Sequence, residues 1–498
     1  MRAVIRADAS IAIGSGHVRR CLSLALELRQ RGVEVLFICR DLSGNLCGLL
    51  SKREFKVFSL PSPGAGEPEC HPDQDARETI TVLNSLSGDI DWLIVDHYAL
   101  GREWESALRQ RARGILVLDD LANREHDCDL LLDQGLYGDA ERRYQGLVPP
   151  GCRLLLGPRY ALLNAGFARQ RQREDEKSGE RLFVFFGGSD TTNETGKVLQ
   201  ALPLLKNRNV QLDVVVGGGN PFRGRIEKLA ASHDRVRLHY QVEDMAALMA
   251  KSDIALGAGG TTTWERFCLG LPSIVVSVAD NQTALSESLG LDGRIMYLGR
   301  AEQVDKRMIA RAIQSLLDFP WWRRSLSRRG RELVDGQGCH RLGRILFPEE
   351  IRVRPAREAD GEKIFSWRNA AENRRFSFSS REIPLAEHRQ WFRECLRDDR
   401  RVLLIGERDG RPVGVLRYDF RSQEEAVVSV YLVPGCHGRG LGSSLIRTGS
   451  QWLRRHYPAC EQVVAEILTG NQAGRKVFLE AGFTEGYGVF REVLAHGP

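Results

Sequence analysis

Ile13-Gly14-Ser15-Gly16-His17-Val18-Arg19-Arg20 is the stretch from which the rest of the chain is read. It follows the apolar run from Arg2 to Ala7 and precedes a helical pattern containing Leu22, Leu24, Ala25 and Leu28. Strand, glycine turn and helix in that order make a site for a negatively charged ligand. The glycines let backbone approach the ligand, and the helix N-terminus offers free N–H groups and a positive dipole end. His17, at the mouth of the turn, adds a group that can move a proton. The dipole end disfavours imidazolium, so His17 stays neutral near pH 7 and can accept a proton. A base needs an orienting partner, and Asp8 at the end of the first strand is the candidate. Arg19 stands where a dinucleotide fingerprint has its third glycine, which disfavours a nicotinamide or flavin cofactor.

Working outward, the pattern alternates strand and helix. Val33 to Ile38, Phe55 to Phe58, Trp92 to Asp96, Gly114 to Asp120 and Asp129 to Asp133 are apolar runs, several ending in acids. Such runs are typical of parallel strands covered on both faces. Ligands bind beyond the carboxyl ends of such strands, so Asp96, His97, Tyr98 and Asp119 are expected to face the crevice of His17. The Pro61–Pro72 stretch reads as a surface loop, and the charged Arg169–Glu180 stretch as a domain junction. A second alternating series follows, with Gly187-Gly188-Ser189-Asp190 after its first strand and Gly257-Ala258-Gly259-Gly260-Thr261-Thr262-Thr263-Trp264-Glu265 after a later one. A loop of free N–H groups can hold a diphosphate, while a carboxylate one turn beyond it, Glu265, can hold both hydroxyls of a ribose. A basic helix from Trp321 to Val334 and then Asp335-Gly336 close this series, and Phe347 to Glu350 read as the next junction. The last third becomes a strand meander ending in Gly438-Arg439-Gly440-Leu441-Gly442 and a helix.

The 498 residues suit about three domains, placed at 1–166, 167–347 and 351–498. Hydrophobic content of 42% and charged content of 27% are those of a soluble globular protein. A net charge of +6 fits anionic small molecules, and no aromatic-interleaved basic stripe singles out nucleic acid. The eleven cysteines lack metal-ligand spacing, so they read as thiols of a reducing compartment and no metal is expected. With no signal peptide and no membrane-spanning run, the expected location is cytoplasmic, without membrane insertion.

Arg6-x-Asp8, Gly14-x-Gly16-His17-x-x-Arg20, Asp96-His97-Tyr98, Gly187 to Asp190 and Asn281-Gln282 together resemble the PseG family. These are the UDP-2,4-diacetamido-2,4,6-trideoxy-β-L-altropyranose hydrolases of pseudaminic acid biosynthesis, relatives of MurG-type glycosyltransferases. The resemblance spans about residues 1–345. It implies an α/β glycosyltransferase-B-type fold, two doubly wound Rossmann-like domains facing a cleft, with a UDP-amino-sugar held between them. It also implies attack by water on the anomeric carbon, with release of UDP and inversion. His17 matches the family's catalytic base. Gly14, Ser15, Gly16, Asp8, Tyr98, Gly188, Ser189, Asp190, Gly259, Gly260, Glu265, Asn281 and Gln282 are the candidate substrate-binding residues; Tyr98 matches a sugar-site tyrosine, Glu265 the ribose-binding acid, and Asn281 and Gln282 a sugar-contacting pair. The run at 257–263 is closer to MurG, which leaves a glycosyl acceptor as an alternative; a non-catalytic sugar-nucleotide sensor is another.

The strand Val427–Leu432, then Val433-Pro434, His437 to Gly442, Asn471-x-x-Gly474 and Ala481-Gly482-Phe483 resemble the GCN5-related N-acetyltransferases (GNAT), an α+β fold. Trp367-Arg368-Asn369 and His388-x-x-Trp391-Phe392 resemble amino-sugar members such as PseH. This resemblance implies acetyl-CoA as co-substrate, held at Leu432, Val433, Gly438, Gly440, Gly442 and Asn471. Phe478 stands where many members carry a proton-donating tyrosine, and phenylalanine cannot donate a proton. Acetylation of a 4-amino sugar nucleotide followed by its hydrolysis would join consecutive steps in one chain, in a pathway that feeds flagellin glycosylation and whose neighbouring enzymes are potential partners.

Overall fold

In the computed structural model the first glycine turn leaves the centre of a parallel sheet. The structure describes residues 1–498 except 65–70, 172–179, 207, 208, 241, 243, 349, 350, 378, 409, 439, 469, 487, 488 and 494–498. Much of the expected loop before Pro72, the 169–180 junction, Glu349, Glu350 and Arg439 thus lie outside the described residues.

The first sheet contains β1 (Arg2–Ala7), β2 (Glu34–Arg40), β3 (Lys56–Leu60), β4 (Trp92–Asp96), β5 (Gly114–Leu118), β6 (Leu130–Asp133) and β7 (Arg153–Leu156). Its order is β3-β2-β1-β4-β5-β6-β7, and every pairing is parallel. The strand order reverses between β1 and β4, which makes the crevice at their carboxyl ends the natural ligand position. The turn bearing His17 follows β1, and Asp96-His97-Tyr98 follow β4.

The second sheet contains β8 (Arg181–Phe185), β9 (Gln211–Val216), β10 (Val236–Tyr240), β11 (Ile254–Ala258), β12 (Ser273–Ser277) and β13 (Met296–Arg300). The order β10-β9-β8-β11-β12-β13, again all parallel, puts its switch point between β8 and β11. Those two strands feed the glycine loops at 187–190 and 259–261. Apolar clusters cover both faces of this sheet, one around Val184, Val214 and Ile313 and another around Phe183, Val275 and Phe267. This is why its central strands β8, β11 and β12 read as apolar runs.

The series does not stop at Asp335-Gly336. A further helix, Gly338–Leu346, returns to the first sheet, where Trp92 Nε1 donates to Leu346 O at 2.7 Å and Arg31 Nη2 meets His340 Nδ1 at 2.9 Å. Residues 1–346 accordingly form one compact unit holding both sheets, and residues 347–498 form another.

The second unit has a mixed sheet of β14 (Arg352–Pro355), β15 (Arg401–Arg408), β16 (Arg411–Phe420), β17 (Glu425–Leu432), β18 (Gln462–Glu466), β19 (Thr484–Gly486) and β20 (Val489–Val493), in the order β14-β15-β16-β17-β18-β20-β19. Its pairings are antiparallel except β17 with β18, which are parallel and paired only over Glu425–Val427 and Gln462–Val464. The Leu441–His456 and Gln472–Ala481 helices contribute to the core on one face, and the Gly361–Asn369 and Leu385–Arg397 helices to the core on the other.

Candidate functional site

Gly14 turns the chain at φ +84°, and its N–H donates to Ser10 O at 2.8 Å, so the turn closes on itself before the Gly16–Gln30 helix begins. That helix starts at Ser15 without a side-chain cap, leaving its first N–H groups available to an anion. His17 follows in the first turn and is 7% exposed. Its ring lies edge-on to Tyr98, with centroids 4.5 Å apart. Burial holds His17 below the usual histidine range, against the opposing pull of Asp96. His17 Nε2 is 4.0 Å from Asp96 Oδ1, and Nδ1 is buried without a protein partner.

The expected His17–Asp8 pairing is corrected by this arrangement. Asp8 is fully buried and accepts from both terminal nitrogens of Arg6, at 2.5 and 2.8 Å, and from Arg40 N at 2.7 Å. His97 Nε2 lies 3.3 Å from its other oxygen. A carboxylate so enclosed braces strand ends rather than meeting a sugar. The physical reason is sheet order: β4 lies beside β1, which brings Asp96 rather than Asp8 to the imidazole. Asp96 is held by Arg20, which donates to both of its oxygens at 2.6 Å, and Arg20 also reaches Asp120 at 3.1 Å. Burial works against the Asp96 carboxylate, but Arg20 and His17 hold it below its usual range. Asp119, expected in the same crevice, is instead engaged by Arg124, Ala122 N and the Tyr144 hydroxyl.

Across from this turn stand the loops of the second sheet. A Cβ built on Gly188 would sit 3.9 Å from Ser15 Oγ, and one on Gly16 would sit 3.8 Å from Thr261 Oγ1. Ser15 and Gly16 therefore face Gly188 and the loop at Thr261, with Ser189 partly exposed beside Gly188. The Thr262–Leu269 helix begins without a side-chain cap, like the first. Glu265 lies in its opening turn, where burial pushes its carboxyl up to about 7 while Arg19 and Arg266 pull the other way. Arg266 is buried and spends itself on Ala258 O and Thr263 Oγ1, each at 2.8 Å.

Two expectations change here. Asp190 is buried, and its oxygens accept from Glu194 N at 2.8 Å and Thr195 N at 3.1 Å. It thereby caps its own helix, filling the position an anion would take. Gln282 Oε1 accepts from Gly259 N and Val278 N, both at 3.2 Å, so its carbonyl fastens the glycine loop. Asn281 beside it is exposed. The sequence reading also left Asp96, Arg19 and Arg20 out of the binding set, although an acid ending a continuous apolar strand is the signal for the first.

In the second unit Gly438 and Gly440 adopt φ +74° and +73°, and Gly440 opens the Leu441–His456 helix without a side-chain cap. Gly442 is buried, and a Cβ there would press to 3.0 Å of Val477. Val433 N donates to Val413 O at 2.9 Å, and Leu432 O accepts from Asn373 Nδ2 at 2.8 Å. Beyond the short β17–β18 pairing the two strands continue without bonding to each other, leaving a split beside this loop. Asn471 is corrected in role: its Oδ1 accepts from Gly474 N at 2.8 Å and caps the Gln472–Ala481 helix. Phe478 is buried against Phe483 and Phe490.

Two parallel sheets with opposed glycine loops at their switch points define a Rossmann-like double unit of the glycosyltransferase-B type, and the split mixed sheet is of the acetyltransferase type. Residues 182–288 match the Glycosyltransferase family 28 C-terminal domain, and residues 362–483 match the Acetyltransferase (GNAT) family. Among individual relatives, the spore coat polysaccharide biosynthesis protein SpsG of Bacillus subtilis is 28% identical over 364 residues, covering 70% of this chain and 100% of its own. The UDP-2,4-diacetamido-2,4,6-trideoxy-β-L-altropyranose hydrolase of Campylobacter jejuni is 27% identical over 294 residues, covering 59% of this chain and 97% of its own. An uncharacterized protein of Methanocaldococcus jannaschii, MJ1062, is 22% identical over 500 residues, covering 97% of this chain and 96% of its own. The chain thus joins a part similar to the hydrolase to a GNAT domain. No helix among the described residues is long and apolar enough to cross a membrane.

Proposed function

We propose that residues 1–346 hydrolyse UDP-2,4-diacetamido-2,4,6-trideoxy-β-L-altropyranose and that the second unit acetylates the 4-amino precursor of that sugar nucleotide with acetyl-CoA. The observation that carries the reading is His17: a buried imidazole kept neutral by desolvation, beside Asp96, facing the opposed nucleotide-type loops. Similarity to the Campylobacter hydrolase supports the substrate.

In this reading the open starts of the Gly16–Gln30 and Thr262–Leu269 helices receive the diphosphate, and Glu265 accepts from the ribose hydroxyls. Gly188, Ser189, Gly259 and Gly260 supply backbone around it, with Gln282 fixing the loop. Tyr98 and Asn281 border the sugar. Asp96, 4.0 Å from His17 Nε2, lies beside the ring without a direct hydrogen bond, and the neutral imidazole takes a proton from water. The water oxygen bonds to the anomeric carbon, the bond from that carbon to the diphosphate oxygen breaks, and UDP leaves with its electron pair. The proton passes from His17 to solvent, and the anomeric configuration inverts.

Acetyl-CoA fits the second unit because positive-φ glycines and an uncapped helix start form a pyrophosphate cradle beside the split between β17 and β18. Leu432 and Val433 border that split; Gly438, Gly440 and Gly442 form the cradle. When bound, the thioester supplies the acetyl group. Phe478 offers no proton, so the thiolate must be protonated by another group or by water. We place the protein in the cytoplasm, where both sugar nucleotides and acetyl-CoA are available.

Incubation with UDP-4-amino-4,6-dideoxy-β-L-AltNAc and acetyl-CoA should release CoA and then UDP. The match of residues 182–288 to a glycosyltransferase family favours a second reading, transfer to an acceptor. UDP release that requires an added sugar or lipid would establish that reading and overturn hydrolysis.

A further inference from the structure

The Lys306–Asp318 and Pro320–Leu333 helices form a hairpin holding eight Lys and Arg against two acids, an excess of six. That excess equals the net charge of the whole chain, +6, so the remainder of the molecule is neutral in sum. The absence of an aromatic-interleaved basic stripe, expected from composition, does not hold at this place. Some of the charge is spent internally: Arg323 donates to Leu316 O, Arg329 to Asp292 O at 2.8 Å, and Arg331 to Arg171 O. Arg324 and Arg328 are exposed, and with Trp321 they share one stripe at three- and four-residue spacing.

The corner between the helices is apolar and exposed. Phe319 is 47% and Trp321 61% exposed, with ring centroids 6.2 Å apart. Trp322 stacks beside Trp321 and packs on the core, anchoring the corner. Large apolar residues clustered and bracketed by arginine mark an interaction surface rather than ordinary scatter.

We propose that this corner docks the protein on an anionic membrane surface. Phe319 and Trp321 enter the boundary between headgroups and acyl chains, while Arg324 and Arg328 pair with lipid phosphates. Exposed aromatic rings beside arginines suit a headgroup boundary, where the rings sit at the apolar edge and the cations meet phosphates. The proposal does not depend on the activity proposed above.

The test is co-sedimentation of the full chain with vesicles of phosphatidylcholine containing about a quarter phosphatidylglycerol, against pure phosphatidylcholine. The protein should bind the anionic vesicles and not the neutral ones. Arg324→Glu with Arg328→Glu, and separately Phe319→Ser with Trp321→Ser, should each lower partitioning about tenfold or more, with thermal unfolding and nucleotide-sugar binding in solution unchanged. Failure to bind anionic vesicles, equal binding to neutral ones, or undiminished binding by either variant overturns the proposal. Retention of single-stranded nucleic acid without vesicle binding would also overturn it.

Discussion

Desolvation and a neighbouring carboxylate act on His17 in opposite directions, and burial prevails. The neutral form therefore persists as pH falls through the usual histidine range. Hydrolysis should hold its rate through about pH 6.5 and decline only below it; a kcat–pH profile measures this. Asp96 raises the affinity of His17 for a proton, so Asp96→Asn should move the acid limb lower still, together with a fall in kcat as orientation is lost. Glu265 behaves in the reverse sense. With its carboxyl raised to about 7, it is largely protonated at pH 6 and largely ionised at pH 8. Because the ionised form is the double acceptor that a ribose needs, UDP affinity should rise across that interval. Glu265→Gln should weaken UDP about tenfold, the worth of one good charged hydrogen bond, and flatten the pH dependence; calorimetric titration reads both effects.

At the scale of elements, the strand ends of the first sheet are tied by buried ions. Asp75 joins Arg6 and Arg40 and accepts from Trp104 Nε1 at 3.0 Å, while Asp8 joins Arg6 and the Arg40 backbone. Removing one partner strands a buried charge, so Asp75→Ala should cost about 3–5 kcal/mol in denaturant unfolding. Burial alone would raise both carboxyls, but Arg6 outweighs it and holds them below the ordinary range. Their stabilisation is present above the unfolded-state value and is lost as pH falls below it, so unfolding should become easier in acid. Much of this architecture was readable beforehand. β4, β5, β8 and β12 are largely apolar runs because both faces are covered, and glycines mark the exits of β8 and β11. β7, only Arg153–Leu156, and β13, an edge strand of half-buried residues, have no long apolar signature and so are not legible in the sequence. Chain proximity makes Asp8 the visible partner of His17, whereas the adjacency of β1 and β4 is set by the fold. The capping roles of Asp190 and Asn471 were equally hidden: a polar residue beside a glycine loop looks alike whether it meets a ligand or the N–H groups of its own helix.

For the whole molecule, the two units join a double Rossmann fold to an acetyltransferase domain, and each part keeps its own core. Phe478 limits what can be recovered in the second. Phe478→Tyr should not accelerate acetylation, because the ring is packed among Phe483 and Phe490. A hydroxyl buried there without a partner should cost about 1–3 kcal/mol, read from the unfolding midpoint. The central proposal concerns the first unit, with water as the acceptor and His17 as its base. The most direct measurement is UDP release from UDP-2,4-diacetamido-2,4,6-trideoxy-β-L-altropyranose by the purified chain and by His17→Ala, with nothing else added. The account predicts steady UDP release by the natural chain and loss of at least about a hundredfold in the variant, with nucleotide-sugar binding retained. Equal turnover by the two proteins, or no release until a second sugar or lipid is supplied, would contradict it.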